Sequence, residues 1–385
     1  MRIQIVIVYL LTAAVAHAGD PSLEIPFERH SIDLGRNEAC AVADVNGDGK
    51  LDIMSGENWF AAPDWKKHPY RDIHYFGNYI DDFSDLPLDV DSDGDIDVIS
   101  VGWGQQKVAW FENPGRGEGI WKEHPIDKGM PVEFAFLVDL DNDGVNDEVL
   151  PQFGGTKGYV AWYEVEGRGA EAKWVRHIVS DKLYGHGIGA GDVNGDGRND
   201  ILTPKGWLEA PADLRQGSWE LHEDYSFDKH VGFLYVLDVN QDGLADIVTT
   251  HAHDYGIYWL EQTKGEVGKR GFERRLVDDA WSQAHAMTMT DLTGDGYPEL
   301  ITGKRFYAHN GHDAGGREPL GLYWYERYQI GQKWEWSRHI IDYGGRVGGG
   351  MQIPVVDIDA DGDLDIVVAG KGGVFLFENR TKAAR

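Results

Sequence analysis

Seven segments of this 385-residue chain place oxygen-bearing side chains at positions 1, 3, 5 and 9 around a glycine at position 6. They supply Asp44, Asn46, Asp48 and Asp52, then Asp89, Asp91, Asp93 and Asp97, then Asp139, Asp141, Asp143 and Asp147. The fourth and fifth supply Asp192, Asn194, Asp196 and Asp200, and Asp238, Asn240, Asp242 and Asp246. The sixth has Asp291, Asp295 and Glu299 with Thr293 at position 3, and the seventh has Asp357, Asp359, Asp361 and Asp365. Oxygen ligands at this spacing, completed by the carbonyl of position 7, make a compact cage for a hard cation, and glycine permits the sharp turn. Ca²⁺ is the expected occupant of several of these loops; a network of Asx turns without metal is the competing reading.

The spacing of the loops exposes the elements that carry them. Successive starts lie 45 to 66 residues apart, which is the mark of a repeat architecture. Each loop is followed by an apolar run, then in most units by a strand ending in aromatic-x-Glu, as in Trp110-Phe111-Glu112 and Trp162-Tyr163-Glu164. An outer strand with Trp/Phe-x-x-His comes next, pairing Trp65 with His68, Trp121 with His124, Trp174 with His177, Trp219 with His222 and Trp336 with His339. Four short β segments to a unit describe one propeller blade. The last unit stops after three strands, whereas Phe27 to Ile32 at the other end is an outer strand without a blade. The expected fold is therefore all-β, a seven-bladed propeller over residues 19–385, closed by its N-terminal outer strand. With these loops and strands the chain resembles the FG-GAP/VCBS repeat propellers, which implies a structural role for the acidic loops, stiffening the turn between the first two strands of each blade.

Removing the repeat leaves eight histidines outside the leader: His74, His186, His230, His251, His253, His285, His309 and His312. His186 and His285 stand six residues before the first Asp of their loops, a slot held by Glu38 and Glu133 in the first and third units. This slot is the start of the innermost strand. His251, His253, Lys205, Lys304, Arg305, Tyr307 and His309 fall where second strands end. In an up-and-down blade those two places lie on one face, and the acidic loops lie on the other. The exceptional residues should thus meet at one mouth of the central channel. His186, His253 and His285 with Glu133 suit a transition metal such as Zn²⁺, and Lys and Arg beside them suit an anionic or carbonyl-bearing ligand.

Composition narrows the partners. The formal charge of −29 opposes nucleic acid, while 42% hydrophobic residues are enough to fill a core. A lone cysteine, Cys40, leaves no intrachain disulfide. Residues 1–18 read as a secretory signal: Arg2, an apolar stretch from Ile3 to Val15, and the small-residue site Ala16-His17-Ala18. The expected location is periplasmic or extracellular, with no membrane span once the signal is removed.

The segments GHGIGAGDVNGDGRNDIL, THAHDYGIYWLEQ and QAHAMTMTDLTGDGYPELITGKRFYAHNGHD resemble the propeller domain of aldos-2-ulose dehydratase and, more remotely, propeller-type polysaccharide lyases. That resemblance implies β-elimination on a keto-sugar or uronate. It assigns metal binding to His186, His253, His285 and Glu133, acid–base work to His309 or Tyr307, and enolate stabilisation to Lys304 and Arg305. A non-catalytic, calcium-stabilised propeller that binds a glycan or a protein is the alternative.

Overall fold

A computed structural model describes residues 24–155, 158–265 and 270–382. The leader at 1–18 lies outside the described residues. Seven four-stranded antiparallel sheets follow one another along the chain, each running from an inner to an outer strand. The blades cover residues 41–69, 84–128, 132–180, 189–222, 231–282 and 284–343, and the seventh joins 355–379 to the N-terminal strand Phe27–Asp33. In that closure Phe27 pairs with Asn379, Arg29 with Phe377 and Ser31 with Phe375. Ring closure by the first strand covers the edge that the last strand of the chain would otherwise expose, as the unpaired ends of the sequence predict. Among the described residues no helix is long and apolar enough to cross a membrane.

The second strand of a blade is covered on both faces by its neighbours, so it is apolar along its length rather than alternating. Asp97–Gly102, Glu148–Phe153, Asp246–His251 and Glu299–Lys304 are buried at every residue. Each starts with a carboxylate, and that carboxylate braces the loop before it. Asp97 accepts the Val90 N–H at 3.1 Å and, from the end of the third strand, the Asn113 N–H at 2.7 Å. Asp52, Asp200, Asp246 and Asp365 repeat the arrangement. Burial raises these acids, Asp97 and Asp200 to about 7. Position 1 meanwhile accepts the N–H groups of positions 5 and 6, as Asp44 does from Asp48 and Gly49. In the third loop the brace is Glu148, one residue beyond Asp147 at position 9, and it accepts the Leu140 N–H at 2.8 Å. That loop carries one extra residue, so the strand and its buried carboxylate begin one position later.

The Trp/Phe-x-x-His register is scaffold, as expected. His124, His177, His222 and His339 each stack on a third-strand tryptophan at 3.8–4.3 Å between ring centroids. Their Nε2 atoms meet Glu112, Glu164, Glu209 and Glu326 at 2.6–2.9 Å. In the fifth blade Arg275 replaces histidine, bonding Glu261 and lying over Trp259.

Candidate metal centre at the channel mouth

Inner strands deliver two of the channel residues directly: Glu133 follows Val132 at the start of the third blade, and His285 follows Ala284 at the start of the sixth. His186 precedes the inner strand Gly189–Gly191, and His253 follows the second strand Asp246–His251. The inner strand of the fourth blade is made of glycine and alanine because its neighbour is close. A Cβ on Gly189 would stand 1.9 Å from the Leu234 carbonyl oxygen.

These four side chains converge, each offering one donor atom, with all donors within 4.8 Å of one another. Hydrogen bonding fixes which nitrogens face inward. His186 Nδ1 lies 2.7 Å from the Val231 carbonyl, which can only accept, so Nδ1 donates to it and Nε2 faces the other donors. His253 Nδ1 likewise donates to Asp313 at 3.1 Å. Burial lowers His253 to about 4, so it is neutral near pH 7. The two inward Nε2 atoms are 3.3 Å apart, about the separation of two ligands on one tetrahedral ion. His285 is 0% exposed, and neither of its ring nitrogens is hydrogen-bonded, an arrangement that is costly unless the nitrogen has another partner.

The spacing suits a zinc-class ion. Bonds of about 2.0–2.1 Å in a tetrahedron separate neighbouring donors by about 3.3–3.4 Å. His285 Nε2 is 3.3 Å and His186 Nε2 is 3.9 Å from Glu133 Oε1. Burial opposes ionisation of Glu133, but the adjoining imidazoles of His186 and His285 and the charge of Arg305 outweigh it and hold the carboxyl well below its ordinary range. Arg305 is itself buried, donating to Glu133 at 3.1 Å and Glu38 at 3.3 Å, while Lys371 also bonds Glu38.

The remaining sequence candidates divide. His309 and Arg305 line a cavity beside the donors; Lys304 and Tyr307 do not line it. The Lys304 ammonium bonds the Ser282 hydroxyl at 2.6 Å, and Tyr307 packs by Gly311. His251 bonds the Tyr255 carbonyl, and Lys205 bonds the Phe227 carbonyl. His230 stacks on His186 with centroids 5.2 Å apart. His309 is held in an unusual turn: Tyr307, His309 and Asn310 have φ of 53°, 44° and 57°, a left-handed region that costs non-glycine residues about 1 kcal/mol or more each. Asn310 meets Asn78 at 3.1 Å, and His309 Nδ1 meets Asp313 at 2.9 Å, which fix the turn from two sides. Asp313 thus serves two histidines, a role that sequence reasoning missed.

Residues 89–150, 139–203 and 238–302 match the FG-GAP-like repeat. With its seven closed blades, the chain is a seven-bladed β-propeller that carries FG-GAP-like repeats. No curated protein matches it in sequence. Among solved structures, BBS1N in complex with ARL6DN, soaked with mercury, is 11% identical with a TM-score of 0.52, over 93% of this chain and 97% of that one. The lead-soaked form is 10% identical with a TM-score of 0.50, over 91% and 98%. The V. cholerae biofilm matrix protein Bap1 gives 11% identity and a TM-score of 0.37, over 90% and 80%. At such identities the first two likenesses concern the fold.

Proposed function

We propose that this propeller is an exported, metal-dependent carbohydrate lyase or dehydratase, working at the channel mouth opposite its acidic loops. The observation that carries the metal reading is the convergence of His186, His253, His285 and Glu133, whose donor atoms all lie within 4.8 Å of one another, with the His186 and His253 Nε2 atoms 3.3 Å apart. His186, His253, His285 and Glu133 would hold a zinc-class ion, and the loops would hold Ca²⁺ as scaffold. Such an ion, when bound, supplies Lewis-acid polarisation of a substrate carbonyl.

The protein's own groups account for the proton. With Nδ1–H donated to Asp313, neutral His309 presents Nε2 as a base. It takes the proton from the carbon next to the carbonyl, the electron pair of that C–H becomes the new C=C, and the β-oxygen departs with that same proton, returned to it by the His309 imidazolium. The net change is loss of water or an alcohol, with no oxidant required. The buried guanidinium of Arg305 is the nearest fixed positive charge to this cavity, and its field favours the enolate. Resemblance to the dehydratase and lyase propellers supports carbohydrate as the substrate class.

Elemental analysis of purified protein, before and after reconstitution with Zn²⁺, tests this reading. The expected result is calcium plus one zinc-class ion per chain, with the latter lost in His186→Ala and His285→Ala. Keto-sugars and uronates should yield a product with enone absorption, abolished in the same variants. Calcium alone after reconstitution would overturn the metal site and leave a calcium-stabilised binding propeller.

A further inference from the structure

Next to the four donors lies a cavity of about 260 Å³ whose wall is aromatic and whose floor is polar. Phe76, Tyr79, Phe83 and Trp103 make the wall; Glu133, Arg305 and His309 face it. None of the four aromatics belongs to the stacked tryptophan–histidine registers of the blades. Phe76 and Tyr79 sit on a separate two-stranded hairpin, Tyr75–Phe76 with Tyr79–Ile80, inserted between the first two blades. Their rings lie parallel at 5.5 Å, and Phe83 continues the stack at 6.4 Å.

Two glycines make room for this wall. A Cβ on Gly154 would fall 2.1 Å from the Trp103 indole, and one on Gly104 would fall 2.8 Å from the Phe76 ring. The hairpin tip is tied across the mouth by Asn78 to Asn310, beside His309. Arg305 and Lys371 lie over the Tyr79 ring at 5.9 and 4.0 Å. The wall is therefore braced by its neighbours, and one of the metal donors, Glu133, lines the cavity with it.

We propose that this cavity binds one six-membered sugar ring, with an apolar C–H face against the Trp103–Phe83 wall and its oxygens directed to Glu133, Arg305 and His309. Aromatic faces are negative and suit the C–H-rich face of a sugar ring. At about 260 Å³ the cavity lies just below the ~300–1,000 Å³ of sites for drug-sized ligands, which favours a single ring over a chain of sugars. The inference rests on the carbohydrate reading above and adds to it the scale of the ligand and Trp103 as a specificity-determining residue.

Titration of D-glucuronate, D-fructose and trigalacturonate into zinc-reconstituted protein, followed by calorimetry and tryptophan fluorescence, tests it. At least one monosaccharide should bind, and trigalacturonate should bind no tighter. Trp103→Ala should weaken that binding tenfold or more, Trp103→Phe by less than threefold, and Gly154→Ala, which displaces the indole without deleting it, by an intermediate factor. Metal content should stay as in the parent. Equal affinity in Trp103→Ala, trigalacturonate binding more than tenfold tighter, or no binding by any of the three sugars would each overturn the single-ring site. Zinc stoichiometry is read separately, so a failed sugar site with one bound zinc leaves the metal reading standing.

Discussion

Asp313 accepts a hydrogen bond from His253 Nδ1 at 3.1 Å, and this contact turns the other nitrogen of that imidazole toward Glu133, His186 and His285. Carboxylates placed behind a histidine ligand in this way orient the ring and raise its basicity, and removing them typically lowers metal affinity 10–100-fold. Asp313→Asn should therefore weaken Zn²⁺ binding by about that factor while leaving the unfolding temperature in chelator within a few degrees of the parent. Competition with a chromophoric chelator measures it; unchanged affinity would show that Asp313 does not support the site.

His285 gives a test of the same centre from the stability side. Its Nδ1 is buried without a hydrogen bond, and its Nε2 has only the 3.3 Å contact with Glu133, a burden of about 1–3 kcal/mol in metal-free protein. His285→Met keeps most of the volume and removes both polar atoms. In chelator it should be as stable as the parent or more so, by about 1–2 kcal/mol in denaturant unfolding. With Zn²⁺ the order should reverse, because only the parent gains binding energy. Destabilisation in chelator would mean that the imidazole already has a partner.

Much of this centre was legible in the sequence, because Glu133, His186 and His285 share one slot relative to their loops and His253 ends a strand on the same face. What was not legible has physical reasons. Asp313 and the Phe76–Tyr79 hairpin lie in insertions with no counterpart in other blades, so no repeat position points to them. Lys304 and Arg305 are chain neighbours at the end of a strand, and alternation sends them to opposite sides: Arg305 enters the channel, whereas Lys304 turns to Ser282. Arg275 escaped a register defined by histidine although it performs the same contact with Glu261.

The third loop separates the two carboxylates that could close it. Glu148 is buried and braces Leu140, whereas Asp147 is partly exposed. Glu148→Ala should cost about 1–3 kcal/mol, the penalty for leaving a buried N–H unpaired, and Asp147→Ala should stay within about 0.5 kcal/mol in chelator. Equal losses in denaturant unfolding would show that Glu148 does not brace the loop.

Lys304 sets a pH dependence whose sign can be worked out. It is 1% exposed, and burial lowers it from 10.5 to about 8. Between pH 8 and 10 the unfolded chain holds this proton while the folded chain has released it, so this residue makes stability rise with pH across that window. Below pH 8 both states are protonated and the burial cost of the charge is complete. Replacing it by an uncharged side chain of similar length, Lys304→Met, should therefore stabilise the fold at pH 7 by about 1–3 kcal/mol, less the lost bond to Ser282. By pH 10 that gain should have largely disappeared, since the parent lysine is then neutral in the fold. Denaturant unfolding of parent and variant at pH 7, 8, 9 and 10 cancels the other titrating groups in the difference. A difference that is constant with pH would show that the Lys304 ammonium is not held at the cost its burial implies.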